Sequence, residues 1–264
     1  MRFIRFFFLL AVSVSCAQVK IPFVSPKEDP TLIRGWTEYG QDDYSRHLAS
    51  FEKTFLQSDK SHELVLAGKA REYVENLASL ILQNNELFFQ DQKRPRIHII
   101  KGSVPYHFST PGKVIFLSTA LINKYVKHEA ILASILCYEL IRSEKNLYNR
   151  SIIIPVGFLS IERMLAFNRI DVEEKMEIHK WAYYSIRRSG FDGEYYLSWL
   201  QTINRNTADF IPLQGDAGSI SREEALFKAF MIRRSKTEDE LTYARRESSK
   251  DFYQFLFYVK DRSV

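Results

Sequence analysis

Glu139 and Arg142 are two charges set against an apolar background. Residues 130–141 read Ala-Ile-Leu-Ala-Ser-Ile-Leu-Cys-Tyr-Glu-Leu-Ile, with Glu139 as the single charge and Arg142 directly after. A carboxylate in such a run is costly to desolvate unless it is paired or binds a metal, and a buried guanidinium needs a partner too. The chemistry open to these residues is therefore metal binding or a buried ion pair. His128-Glu129, just upstream, invites comparison with the zinc-binding pattern His-Glu-x-x-His, whose histidines share a helix face four residues apart. The residue four after His128 is Leu132, so that dipeptide lacks its second ligand. His47, His62, His98, His107 and His128 show no ligand spacing to one another. Lone histidines beside strands, as His98 and His107 are, are expected to serve structure.

The run that carries Glu139 contains no Gly or Pro and is apolar on every side of a helical wheel, which predicts a buried helix. Gly is scarce at 10 and Pro at 8, and most long segments have helical periodicity. Residues 61–82 form an amphipathic helix in this reading, with Leu64, Ala67, Ala70, Val74, Leu77 and Ile81 inward. Strands follow at 96–100 and 113–117, the second entered through Thr110-Pro-Gly112, and the short link between them predicts antiparallel pairing. One or two helical turns at 118–126 lead into the buried helix. Residues 152–159 are apolar but broken by Pro155 and Gly157, and are expected to cover the core. Asp171 caps a helix that runs to Gly190, and another spans 194–203 with Tyr195, Tyr196, Trp199 and Leu200 inward. Capping boxes at Ser221-Arg-Glu-Glu224 and Thr237-Glu-Asp-Glu240 predict two closing helices. The expected fold class is α+β, mainly α-helical, with a small antiparallel sheet packed on a buried central helix.

Residues 1–17 have the form of a signal peptide: Arg2 and Arg5, the apolar stretch 6–12, then small residues around the cut. Cleavage after Ala17 releases a soluble protein, whereas cleavage before Cys16 leaves a lipidated cysteine that anchors the chain to a membrane; both remain open. Either way the protein is exported, to the periplasm or to the envelope as a lipoprotein. Residues 18–60 read as an irregular arm and 61–264 as one domain. The formal charge of +5 drops by two, to +3, when Arg2 and Arg5 leave, too slight an excess to imply nucleic acid. In the mature chain only Cys137 is then available as a thiol, since Cys16 is either removed or lipidated, which excludes an intrachain disulfide and suits a small core residue.

The order of these elements resembles the gluzincin metallopeptidases of family forty-eight, which include CAAX prenyl endopeptidases, HtpX and periplasmic quality-control proteases. The zinc helix of that family usually reads Leu-Ala-His-Glu-Leu-Gly-His, against Leu136-Cys-Tyr-Glu-Leu-Ile-Arg142 here; a later Glu-Ala-Asp before Gly-Tyr-Asp corresponds to Glu177-Ile-His179 before Gly190-Phe-Asp192. The resemblance covers roughly residues 64–205. It implies that Glu139 matches the general base and Glu177 the third zinc ligand, while the two ligand histidines are replaced by Tyr138 and Arg142. His179 stands where an Asp orients a ligand, and Tyr106-His-Phe108 falls on the substrate-edge segment. Tyr is a poor ligand unless deprotonated, and Arg is a permanent cation that repels a metal. The implied protein is a catalytically inactive pseudo-peptidase with no cofactor, binding an unidentified protein or peptide. Arg142 is then expected to pair with Glu177, Glu139 or both in place of zinc. The alternative is an active zinc endopeptidase in which Glu139, Glu177 and His179 are joined by another histidine.

Overall fold

A computed structural model of the chain describes residues 41–58, 61–89, 93–150, 160–235 and 247–263, all within the compact unit that begins at Gln41. Its axis is the helix α4, for which the elements before it set the numbering: α1 (Gln41–Leu56), α2 (Gly68–Gln83), β1 (Arg96–Ile100), β2 (His107–Thr110), β3 (Val114–Ser118), α3 (Thr119–Tyr125) and α4 (Glu129–Lys145). After it come α5 (Ile161–Ala166), α6 (Val172–Arg188), α7 (Glu194–Arg205), α8 (Thr207–Gln214), α9 (Ala217–Ser235) and α10 (Lys250–Arg262). The fold is α+β and mainly helical. Every residue of α4 from Glu129 to Ser143 is buried, as the unbroken apolar run demands, with α6, α7 and the sheet packed around it. Each fully covered leucine on it, such as Leu132, Leu136 and Leu140, contributes roughly 1.5–3 kcal/mol through burial.

The sheet is mixed, not antiparallel. Its order is β1-β3-β2, with β1 parallel and β2 antiparallel to β3. The link between the two expected strands itself contains β2, which turns back through a tight hairpin at Gly112 (φ 87°) and Lys113 (φ 61°). Reversing twice returns β3 to the direction of β1. Lys113 tolerates the left-handed conformation because α4 secures it: its N–H donates to Ser143 Oγ at 2.9 Å and its Nζ pairs with Glu144 at 3.3 Å.

Two further boundaries differ from the sequence reading. Residues 41–56 are helical, with Tyr44, Leu48, Phe51 and Phe55 in the core, so this part of the stretch read as an irregular arm belongs to the domain. The next helix starts at Gly68 because residues 62–64 are extended beside β1: Leu64 N–H donates to Ile99 O at 2.7 Å, and Lys101 N–H to His62 O at 2.8 Å. In α9 the box at Ser221 is interior; the helix begins at Ala217, where Asp216 Oδ1 accepts from Ser219 N–H at 2.8 Å. The second box, the apolar stretch 152–159, the export segment and Cys16 lie outside the described residues. No helix among the described residues is long and apolar enough to cross a membrane.

Glu129 has a structural task. Its carboxylate accepts from Ser249 N–H at 2.8 Å and Ser249 Oγ at 2.9 Å, while its own N–H donates to Ser248 Oγ at 2.9 Å. The start of α4 is thereby fastened to the start of α10, which fills orphan donors at both helix ends.

Candidate functional site

Glu139 and Arg142 lie side by side in the interior, on consecutive turns of α4. One carboxylate oxygen of Glu139 accepts from His107 Nδ1 at 2.5 Å, and the other is 3.6 Å from Arg142 Nη1. Arg142 donates through Nη1 to Asn168 Oδ1 at 2.7 Å, and through Nη2 to Tyr138 Oη at 2.8 Å and Asn168 O at 3.3 Å. Its guanidinium carbon also lies 4.8 Å from the centre of the Tyr138 ring. Asn168 is held in place by its own Nδ2–H donating to Met164 O at 2.9 Å, in the last turn of α5.

Burial alone would raise the pKa of Glu139, but Arg142 first and His107 next outweigh it and hold the carboxyl below its ordinary value, with Ser109 adding to the effect. Burial likewise disfavours the Arg142 cation, and Tyr138 and Glu139 reverse that. The result is a desolvated ion pair with hydrogen bonds on both partners, the arrangement in which buried charges are tolerated. Tyr138 is kept protonated, since burial raises its pKa more than Arg142 lowers it.

A second buried cluster lies against the first. His179, on α6, has its ring centre 4.8 Å from that of Tyr138. Its Nδ1 is 2.8 Å from Tyr196 Oη on α7, and its Nε2 is 2.8 Å from Glu223 Oε1 on α9. Lys175, one turn earlier on α6, donates to Glu223 Oε2 at 3.1 Å and to Gln214 Oε1. An ionised carboxylate only accepts, so Nε2 of His179 carries the proton and Nδ1 accepts from Tyr196. Burial opposes ionisation of Glu223, yet Lys175 and then His179 pull its pKa down to about 2.

For His179 the balance runs the other way: burial lowers its pKa more than Glu223 raises it. The unfolded chain therefore binds a proton near pH 6.5 that the folded chain refuses, and stability falls as pH drops below that point, by up to about 1.4 kcal/mol per pH unit. Urea unfolding at pH 7 and pH 5 should show this loss in the wild-type protein and a smaller one in His179→Gln. An equal loss in the two proteins would contradict the assignment.

Glu177 does not join either cluster. It is exposed on α6 and pairs with Lys180 one turn on, so the expected contacts with Arg142 and Glu139 are absent. Helix geometry gives the reason: Lys175 and His179 share the face turned to α4 and α9, and a residue two positions from each points away. The resemblance implies an inward Glu177, whereas the inward positions of α6 are Lys175 and His179. Tyr106, His107 and Phe108 are all buried on β2 and the turn before it.

Among the described residues, the side chains around Glu139 do not fit a catalytic zinc. Such a site takes three protein ligands and a water, and among the described residues no three His, Cys, Asp or Glu side chains converge to hold a metal ion. Around Glu139 the available donor nitrogen is His107 Nε2, which has no hydrogen-bond partner among the described residues, and the Arg142 cation, 3.6 Å from the carboxylate, would repel a metal bound to it.

The sequence identified Glu139, Arg142, Tyr138 and His179 as the residues of interest, and missed His107, Asn168, Lys175 and Glu223 as their partners. The signal for Lys175 was its place among apolar residues on the inward stripe of α6. Glu223 was hidden inside a pattern that read as a helix cap. The chain matches no protein-family model and no curated protein.

Proposed function

We propose that this chain is an exported protein of metallopeptidase-like shape that works by binding or scaffolding at the cell envelope, not by hydrolysis. The observation that carries this reading is the Arg142 guanidinium lying against Glu139 and tied to Tyr138 and Asn168. A general base needs a polarised water and room for a carbonyl. Here Glu139 is wholly buried, its oxygens turned to His107 and Arg142. The motif resemblance supports a peptidase ancestry, and the early basic and apolar residues support export, with anchoring through Cys16 if it is lipidated.

Elemental analysis of the purified mature protein tests the reading, alongside a casein-cleavage assay with added zinc. The expected outcome is zinc well below one equivalent and no cleavage above that of a Glu139→Gln control. One equivalent of zinc with Glu139-dependent cleavage would overturn the proposal in favour of an active endopeptidase with unusual ligands.

A further inference from the structure

The surface between α6 and the turn after α2 carries features that neither buried cluster uses. Leu87, Phe88, Ile141, Glu144, Lys145 and Trp181 line a concavity of about 310 Å³. Ile141 is buried at its floor, whereas Leu87 is 86% exposed and Trp181 40% exposed at its edge. Phe88 and Trp181 meet edge to face with ring centres 4.8 Å apart, which fixes the aromatic wall. Single exposed apolar residues need no explanation, but two exposed ones, Leu87 and Trp181, gathered with the half-buried Phe88 around a hollow, form the kind of patch that serves binding.

The charges around the hollow indicate what kind of molecule. Arg188 stacks on Phe88 with its guanidinium carbon 4.7 Å from the ring centre, and Lys145 is part of the lining. Both cations are exposed, and among the described residues neither has a carboxylate in ion-pair contact. Glu144 is engaged by Lys113 at 3.3 Å. Glu86, exposed beside Leu87, offsets one positive charge and leaves a surplus. The hollow stands at the small end of the roughly 300–1,000 Å³ typical of ligand clefts, a size suited to an anchor side chain. A bilayer is met by the broad apolar face of an amphipathic helix, and here the exposed apolar side chains are Leu87 and Trp181, set around a hollow whose lining Ile141 is buried.

We propose that this cleft docks an acidic segment of a partner protein. One aromatic or branched aliphatic side chain of the segment seats on Ile141 between Phe88 and Trp181, and its carboxylates meet Lys145 and Arg188. The proposal stands apart from the question of hydrolysis, since it uses none of the residues around Glu139.

The test uses fluorescein-labelled peptides against the mature protein, read by anisotropy at low salt: Asp-Glu-Phe-Leu-Asp-Glu, the same peptide with lysines for its acids, and the same peptide with serines for Phe-Leu. The first should bind with a Kd of about 0.1–1 mM and the others at least about tenfold more weakly. Trp181→Ala and the double variant Lys145→Glu with Arg188→Glu should each weaken the first peptide by about tenfold. These side chains are exposed, so an unchanged melting curve verifies the fold of each variant. Equal binding of all three peptides, no binding up to about 1 mM, or full binding by the variants would overturn the proposal. Trp181-dependent binding to phosphatidylglycerol vesicles without peptide binding would overturn it in favour of a membrane contact.

Discussion

Arg142→Met should lower the free energy of unfolding by about 3–5 kcal/mol, because it leaves the Glu139 carboxylate buried without its counter-charge. Glu139 is wholly enclosed on α4 and cannot turn to water. Its remaining close partner, His107 Nδ1 at 2.5 Å, supplies a hydrogen bond but not the fixed positive charge of a guanidinium. The double variant Arg142→Met with Glu139→Gln should regain most of the loss, since an amide needs no counter-ion and its oxygen still accepts from His107. Urea unfolding monitored by circular dichroism measures all three proteins. A single variant that loses less than about 1 kcal/mol, the worth of an exposed pair, would show that Arg142 is not the counter-charge of Glu139.

Glu223→Ala should cost a similar amount, about 3–5 kcal/mol, by stranding the Lys175 ammonium in the interior. Its pH signature separates it from ordinary packing loss. The Glu223 pKa falls from 4.5 in the unfolded chain to about 2 in the folded one. Its contribution to stability is therefore complete above pH 4.5 and is lost as pH falls through about 2. This acid limb sets in only below pH 4.5, whereas that of His179 sets in near pH 6.5, so the two differ in onset within one pH series. Removing the carboxylate should flatten the wild-type decline between those values, and a variant with the wild-type slope there would refute the assignment.

Much of the fold was legible because burial leaves a plain mark on sequence. The unbroken apolar run predicted α4, and Gly190, at φ 84°, marked the end of α6. What stayed illegible was decided by pairing across distance. Nothing local says that residues 107–110 turn back beside β3, because four buried positions in a row carry no alternation. Nothing local says that Glu223 faces Lys175, 48 residues away. The inward role that the resemblance implies for Glu177 fails for a related reason: a motif match fixes a helix to within a turn, whereas facing requires the exact residue. Arg142 was legible as a charge in need of a partner, and Glu139 three residues earlier is the carboxylate it meets.

The order of strands carries a consequence for how the chain is made. β3 is the last of the three in sequence and the middle one in space, and β1 and β2 share no ladder of their own. As the chain emerges, β1 has only its short bridge to residues 62–64 and β2 has no ladder until residues 114–118 follow, so the three-stranded sheet closes with the arrival of its middle strand. Interrupted before that central strand arrives, the chain holds no finished sheet.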